Sequence, residues 1–314
     1  MKDAMDWVRQ SLGADWMAFE NILKTALDTP HALLTTIDQY ILNRPGKQIR
    51  PALALSAAGV CGTPGPLSHA VAAIAEMIHT ASLLHDDVAD NAQTRRGKES
   101  VQKQFGPRAA IMLGDFWLAR ALQILIQHNG THLLPLYANV IEDLSEGEIF
   151  QMEKAKTLDI TLADYYTVCK KKTASLFHVS VMSGVLSVPN SSTTETYRPF
   201  LSRAAYHMGM AFQIRDDLAD VTQDLAEAKI TLPLLGALRQ AGDERFRPQV
   251  ILWIRSLEKE DLTAHDQLIS FIKDHKGREY AQKVFNHHKE QARERIGHLP
   301  NSVWKECLLT ISDM

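Results

Sequence analysis

Apolar residues recur at spacings of three and four through most of the chain, and strand-like alternation is scarce. That period predicts helices over roughly 4–27, 31–43, 48–61, 67–90, 101–105, 108–128, 131–153, 162–186, 195–220, 231–241, 245–257, 261–274, 277–295 and 301–312. The breaks fall on punctuation: Pro45-Gly46, the Gly62 to Pro66 run, Gly97, Gly106-Pro107, Asn129-Gly130, Pro189 to Ser192 and Gly242. No long Gly/Ser-rich or Pro-rich linker divides the sequence, so one all-α domain over 1–314 is expected. No short-period repeat is present, which argues against a solenoid.

Composition narrows the class. The chain has 314 residues, 45% of them hydrophobic, enough for a large core. A formal charge of -3, with no domain-wide basic excess, argues against nucleic acid as the main partner. Cys61, Cys169 and Cys307 are scattered and form no CxxC pair, so reduced thiols and a cytoplasmic location are expected. The N-terminus shows no signal-peptide pattern. The longest apolar stretches, such as residues 69–84 with His69, Glu76 and His79, fall short of the ~18 clean residues expected of a membrane span.

Two acidic clusters interrupt this pattern. HTASLLHDDVADNAQTRRG, residues 79–97, sets Asp86, Asp87 and Asp90 at the end of an apolar helix. AFQIRDDLAD, residues 211–220, does the same with Asp216, Asp217 and Asp220. In a helix i and i+4 share a face, so Asp86 lies above Asp90 and Asp216 above Asp220. Like charges so placed cost a few tenths of a kcal/mol, and more when partly buried. A cation is the natural compensation, and an all-carboxylate donor set selects a hard ion, Mg²⁺ before zinc or copper. A solvated acidic face would have polar neighbours, whereas LLHDD and FQIRDD press the charges against core-type residues.

Basic residues flank both clusters. Lys47 and Arg50 lie three apart at a helix start; Arg95 and Arg96 follow the first cluster at what reads as the helix end. Lys172 and Thr173 lie in KKKT, and Lys229 follows the second cluster. Guanidinium forks suit phosphate oxygens, and lysine serves as a mobile point charge. Together with two Mg²⁺-type clusters they describe a site for two diphosphates, one held through metal and one held directly. His79, two turns before Asp86, is either a core histidine or a donor to a diphosphate oxygen. Phe212 and Gln213, one turn before Asp216, are placed to line the same cavity.

The segments GKQIRP, EMIHTASLLHDDVADNAQTRRGK, MLGDFWLARA, EGEIFQM, KKTASLF, GMAFQIRDDLAD and DLAEAKITLPL, in this order over about 43–312, resemble the trans-isoprenyl (polyprenyl) diphosphate synthase family. The resemblance implies the isoprenoid-synthase fold, with antiparallel helices around a deep central cavity, a homodimer, and three Mg²⁺ ions per active site. It implies that Asp86, Asp87, Asp90 and Asp216 hold Mg²⁺ against an allylic diphosphate, with Asp217 and Asp220 in support. Arg95, Lys172, Gln213 and Lys229 would contact that substrate, farnesyl or geranylgeranyl diphosphate. Lys47, Arg50, His79 and Arg96 would bind isopentenyl diphosphate, and Thr173 and Gln213 would face the carbocation. The sequence departs from the family in two places: the usual Gly-Lys-Pro segment after the second cluster is missing, and the usual Gly before the last lysine is Ala228.

Product length is read one turn behind Asp86. Ala81 and Ser82 are small, so no bulky side chain floors the pocket about 5.4 Å below the carboxylates. That favours a product beyond C15, in the C30–C50 range of quinone tails, with C20 as the fallback. Deeper candidates for a floor are Ile74, Met77, Ile78, Trp117 and Leu118. Two further readings remain: a class I terpene cyclase and a non-catalytic subunit of a heteromeric prenyl synthase. The cyclase would not need Lys47, Arg50 and Arg96; the subunit would have degraded acidic clusters. The product is the one feature that would draw the protein to a membrane surface.

Overall fold

The computed structural model of the chain describes residues 2–43, 45–257 and 262–314. Its helices are α1 (Lys2–Ala26), α2 (Ala32–Leu42), α3 (Ile49–Cys61), α4 (Pro66–Ala89), α5 (Val101–Phe105), α6 (Pro107–Gln127), α7 (Leu134–Thr157), α8 (Leu162–Cys169), α9 (Ser175–Leu186), α10 (Ser192–Ala219), α11 (Val221–Ala226), α12 (Leu232–Ala241), α13 (Asp243–Leu257), α14 (Leu262–Asp274), α15 (Gly277–Gly297) and α16 (Val303–Ser312). Among the described residues the only strands are β1 (Thr94–Arg95) and β2 (Lys98–Glu99). The all-α expectation holds. Position 261, the expected start of α14, lies outside the described residues.

Contacts divide the chain into two compact units. The first comprises residues 1–141, 176–203 and 295–314. Its centre is α4, packed most extensively on α6 and also on α1 and α3. Alanines make this packing close: Ala70, Ala72, Ala73 and Ala75 of α4 and Ala52, Ala54, Ala57 and Ala58 of α3 are fully buried. At Gly114 of α6 a methyl group would overlap the His85 ring, so the α4–α6 approach depends on glycine there. Among the described residues two helices, α4 and α6, are long and apolar enough to cross a membrane; most of α4 is instead buried inside the protein.

The second unit comprises residues 142–175 and 204–294. Its core gathers Leu232, Leu234, Leu235 and Leu238 of α12 against Val250 and Ile254 of α13 and Leu268, Phe271 and Ile272 of α14. Tyr165 and Cys169 of α8 and Met210 and Ile214 of α10 complete it. Each such aliphatic side chain contributes about 1.5–3 kcal/mol on burial.

Three differences from the periodic reading have local causes. The helix expected over 4–27 is kinked at Gly13, whose φ of 51° and ψ of -117° are not helical. The helix expected over 162–186 is interrupted by a π turn at Lys170–Ala174. The segment after the first acidic cluster is a hairpin, with Thr94 paired to Glu99 and Arg95 to Lys98. Its two loop residues, Arg96 and Gly97, have φ of 54° and 73°, the pattern of a type I′ turn.

Candidate active site

The first acidic cluster ends α4. Asp90 caps the helix, its N–H donating to the Asp86 carbonyl at 2.8 Å. Asp86 is half-buried and Asp90 exposed, while Asp87 turns inward and is 3% exposed. Arg95 of β1 claims Asp87: its Nε donates to Oδ1 at 2.8 Å, and its Nη2 donates to the same oxygen. Arg95 and Arg96 therefore do not trail a helix end. They are held on the hairpin, one paired to the acidic cluster and the other with its guanidinium against Gly46. A cavity of about 70 Å³ lies beside this pair, lined by Tyr40, Thr80, Leu83, Asp87, Arg95 and Arg96 among others.

The second cluster, in the other unit, repeats the first. Residues 211–220 show the same sequence of buried, half-buried and exposed positions as residues 81–90, position for position. Asp216 is half-buried, Asp220 exposed and Asp217 4% exposed. Here too the middle aspartate is tied: the Tyr165 hydroxyl donates to its Oδ2 at 2.5 Å and Gln213 Nε2 to its Oδ1 at 2.9 Å. Burial raises the Asp217 carboxyl above the usual range, against the lowering effect of those two donors. In both clusters, then, the middle carboxylate is a structural anchor, and the first and third face outward one turn apart.

The basic residues fall into two sets. In the first unit Arg50 is 9% exposed, with its guanidinium 5.2 Å from the Phe177 ring centroid. A buried glutamate that the periodic reading passed over, Glu76, sits among Arg50, Arg96 and Arg9. Burial raises its carboxyl while the three guanidiniums oppose that rise. These three guanidiniums outnumber Glu76 even with Asp6 on Arg9 at 3.5 Å, and exposed Lys47 adds positive charge. Arg9 of α1 also donates to the carbonyls of Gly46 and Lys47 and to Gln48 Oε1, each at 3.4 Å, and so holds the GKQIR segment. Gln48 enters α3 with φ of 56°. His79 is held well below its usual value, first by burial and then by Arg50, Arg96 and Arg95, so its ring is neutral.

In the second unit Lys172 projects from the π turn to Gln151 Oε1 at 2.9 Å and pairs with Glu148. Gly147 permits this, since a methyl group there would meet Lys171 Cβ and Lys172 Cγ at 2.9 Å. Thr173, 7% exposed, donates its hydroxyl to Gln213 Oε1 at 2.7 Å. Lys229 pairs with Glu227 at 2.7 Å and closes a turn on the Asp224 carbonyl, also at 2.7 Å. Ala228 before it has φ of 54°, the left-handed conformation that glycine adopts at least cost. Of the two small residues behind Asp86, Ala81 is fully buried; Ser82 is half-buried and donates to the His79 carbonyl at 2.9 Å.

Sequence reasoning missed Tyr165, Glu76, Arg9, Glu148 and Gln151. Glu76 carried a signal as a charge inside an apolar helix, and Glu148 and Gln151 lay within the EGEIFQM segment without a role assigned. No group of three or more His, Cys, Asp or Glu among the described residues converges to cage a metal. What each cluster offers is a pair of outward carboxylates, a donor set suited to Mg²⁺, which keeps several waters and completes its shell with substrate phosphate.

An all-α chain with two outward aspartate pairs and two cationic sets defines a diphosphate-handling protein of the isoprenoid-synthase fold. The chain belongs to the polyprenyl synthetase family, whose sequence profile matches residues 31–268. It is 31% identical to an octaprenyl diphosphate synthase of Haemophilus influenzae, covering 98% of this chain and 95% of that protein. It is 32% identical to a short chain isoprenyl diphosphate synthase of Methanothermobacter thermautotrophicus, covering 100% and 98%. Its fold matches the crystal structure of a decaprenyl diphosphate synthase from Rhodobacter capsulatus with a TM-score of 0.87, at 29% identity and covering 99% and 97% of the chains.

Proposed function

We propose that the protein is a prenyltransferase that condenses isopentenyl diphosphate, head to tail, with an allylic diphosphate to give an all-trans prenyl diphosphate longer than C15. The observation that carries the reading is the doubled cluster: in each, one aspartate is spent on anchoring so that two carboxylates face outward. Mg²⁺, three ions per site, would neutralise the diphosphate and make it a competent leaving group. Asp86, Asp90 and Asp216 would hold it, with Asp220 in support; Asp87 would join them on release from Arg95.

The remaining side chains act by charge and position. Lys172, Lys229 and Arg95 stabilise the charge that develops on the departing diphosphate. Lys47, Arg50, Arg96 and neutral His79 bind the isopentenyl diphosphate, the histidine as a hydrogen-bond donor. Thr173 and Gln213 present oxygens to the allylic cation. The double bond of isopentenyl diphosphate attacks that cation, and the released diphosphate takes the proton, so no side-chain nucleophile is needed. We read the chain as one domain, 1–314, and the family profile, which spans parts of both compact units, supports that reading.

Small residues at 81 and 82 and the long-chain names among the relatives support a C30–C50 product. The relative named for short chains keeps C20 as the second reading. We further propose a cytoplasmic homodimer. The outer face of α6 supports the dimer, exposing Ile111, Met112, Leu122 and Ile126.

The test is a product assay of the purified chain with Mg²⁺, labelled isopentenyl diphosphate and farnesyl diphosphate, resolving the dephosphorylated alcohols by length. A ladder ending at one polyprenol is expected, with Asp86→Asn lowering kcat at least about 100-fold. Chelation should abolish turnover and added Mg²⁺ restore it. A folded chain that elongates no allylic primer removes the synthase reading and favours the partner subunit or the cyclase.

A further inference from the structure

We propose that Tyr165 is a positioning residue for the carbocation end of the site, acting through Asp217 and Gln213 on Thr173. The inference rests on the synthase reading for its consequence and on the geometry of the second unit for its mechanism. Four side chains from three elements form one unbroken line. The Tyr165 hydroxyl of α8 donates to Asp217 Oδ2 at 2.5 Å. The other oxygen of that carboxylate accepts from Gln213 Nε2 at 2.9 Å, across one turn of α10. Gln213 Oε1 then accepts from the Thr173 hydroxyl in the π turn at 2.7 Å. Tyr165, Asp217 and Thr173 are 5%, 4% and 7% exposed and Gln213 is half-buried, so the Tyr165–Asp217 bond is shielded from water and the other two are partly so.

The polarity of the line matters more than its strength. A carboxylate can only accept, so Asp217 compels the Gln213 amide to turn its NH₂ inward. The Gln213 carbonyl is thereby fixed toward Thr173, and Thr173 must spend its proton on it. The lone pairs of both oxygens are left for whatever cation forms beside them. Without Asp217 so held, the amide is free to flip, presenting an N–H dipole that repels positive charge. The tyrosine proton fixes which Asp217 oxygen is already occupied, and so completes the specification from outside the substrate's reach.

The experiment measures steady-state kinetics with farnesyl and isopentenyl diphosphates for the wild type, Tyr165→Phe, Thr173→Val, the double variant, and Tyr166→Phe as a neighbouring control. Tyr165→Phe should lower kcat about 10- to 100-fold, the effect of losing one hydrogen bond to a charged group. Its KM for both diphosphates should stay within about 2-fold of wild type, and an ammonium analogue of the allylic cation should bind about 10-fold more weakly. Adding Tyr165→Phe to Thr173→Val should cost little more than Thr173→Val alone, because the two lie on one line. Tyr166→Phe should leave kcat unchanged. A Tyr165→Phe enzyme with kcat within twofold of wild type, or losses that multiply in the double variant, would overturn the proposal. If Tyr165→Phe does not fold, Asp217→Asn takes its place in the same cycle, and multiplicative losses there overturn it equally. A wild-type chain without turnover defeats the synthase reading itself. The line is then judged by thermal midpoints of Tyr165→Phe, Gln213→Leu and their double variant: sub-additive losses support it, additive losses refute it.

Discussion

Ala228, like Gln48 and Arg96, is a left-handed non-glycine residue near the site. Its φ of 54° places a β-carbon where an L residue pays about 1–2 kcal/mol. Glycine would remove that cost while losing about 0.5–1 kcal/mol to the freedom of the unfolded chain. Ala228→Gly should therefore be neutral to mildly stabilising, raising the thermal midpoint by a few degrees at most. A second test concerns Asp38, 3% exposed and accepting from Trp117 Nε1 at 2.7 Å. Burial raises its carboxyl to about 6, against the opposing effects of Trp117 and Arg120. The folded chain thus holds this proton where the unfolded chain has released it. Its contribution favours folding below about pH 4 and is lost as pH rises through 6, by on the order of 2–3 kcal/mol. Asp38→Asn should erase that slope, so the variant gains on wild type between pH 4 and 7 in urea unfolding monitored by far-UV circular dichroism. The aspartates of the clusters were legible from their spacing. The inward member continues the buried positions 81, 84, 87 and 211, 214, 217; its partner was not legible, since Tyr165 lies 52 positions from Asp217.

Helices were readable wherever apolar spacing and a Pro or Gly boundary agreed. α3, α5 and α12 match their expected spans to within a residue or two. The hairpin after the first cluster escaped because two-residue strands have no period to detect. Its one cue was Arg96-Gly97 between matched positions, and arginine is an unusual first residue for a turn that needs positive φ at both. The π turn escaped because the extra residue it accommodates leaves the apolar spacing on either side intact. Backbone departures of this kind gather at functional sites. Gly147 ties α7 to that turn. Gly147→Ala should push Lys172 off Glu148 and Gln151, raising KM for the allylic diphosphate several-fold while kcat changes less. A variant with both constants intact would show that the turn yields without moving the lysine.

For the whole molecule, sequence gave the class, and contacts gave the partition into two units that no linker announces. The apolar stripe on α6 sets a test of assembly. Replacing Leu122 and Ile126, 41% and 57% exposed, with glutamate should shift sedimentation from dimer to monomer if a second copy covers that face. A dimer that persists unchanged would place its interface elsewhere.

The three cysteines offer a different kind of gauge. All are buried, Cys61 and Cys307 in one unit and Cys169 in the other. Burial pushes Cys61 and Cys307 to about 11 and Cys169 higher still, so none is a thiolate at neutral pH while the chain is folded. Alkylation must then wait for opening. Mass spectrometry of each labelled peptide, along a urea series, clocks the two halves separately within a single tube. Coincident labelling curves would mean that they melt as one, and a lag at Cys169 would reveal a species half open and half intact.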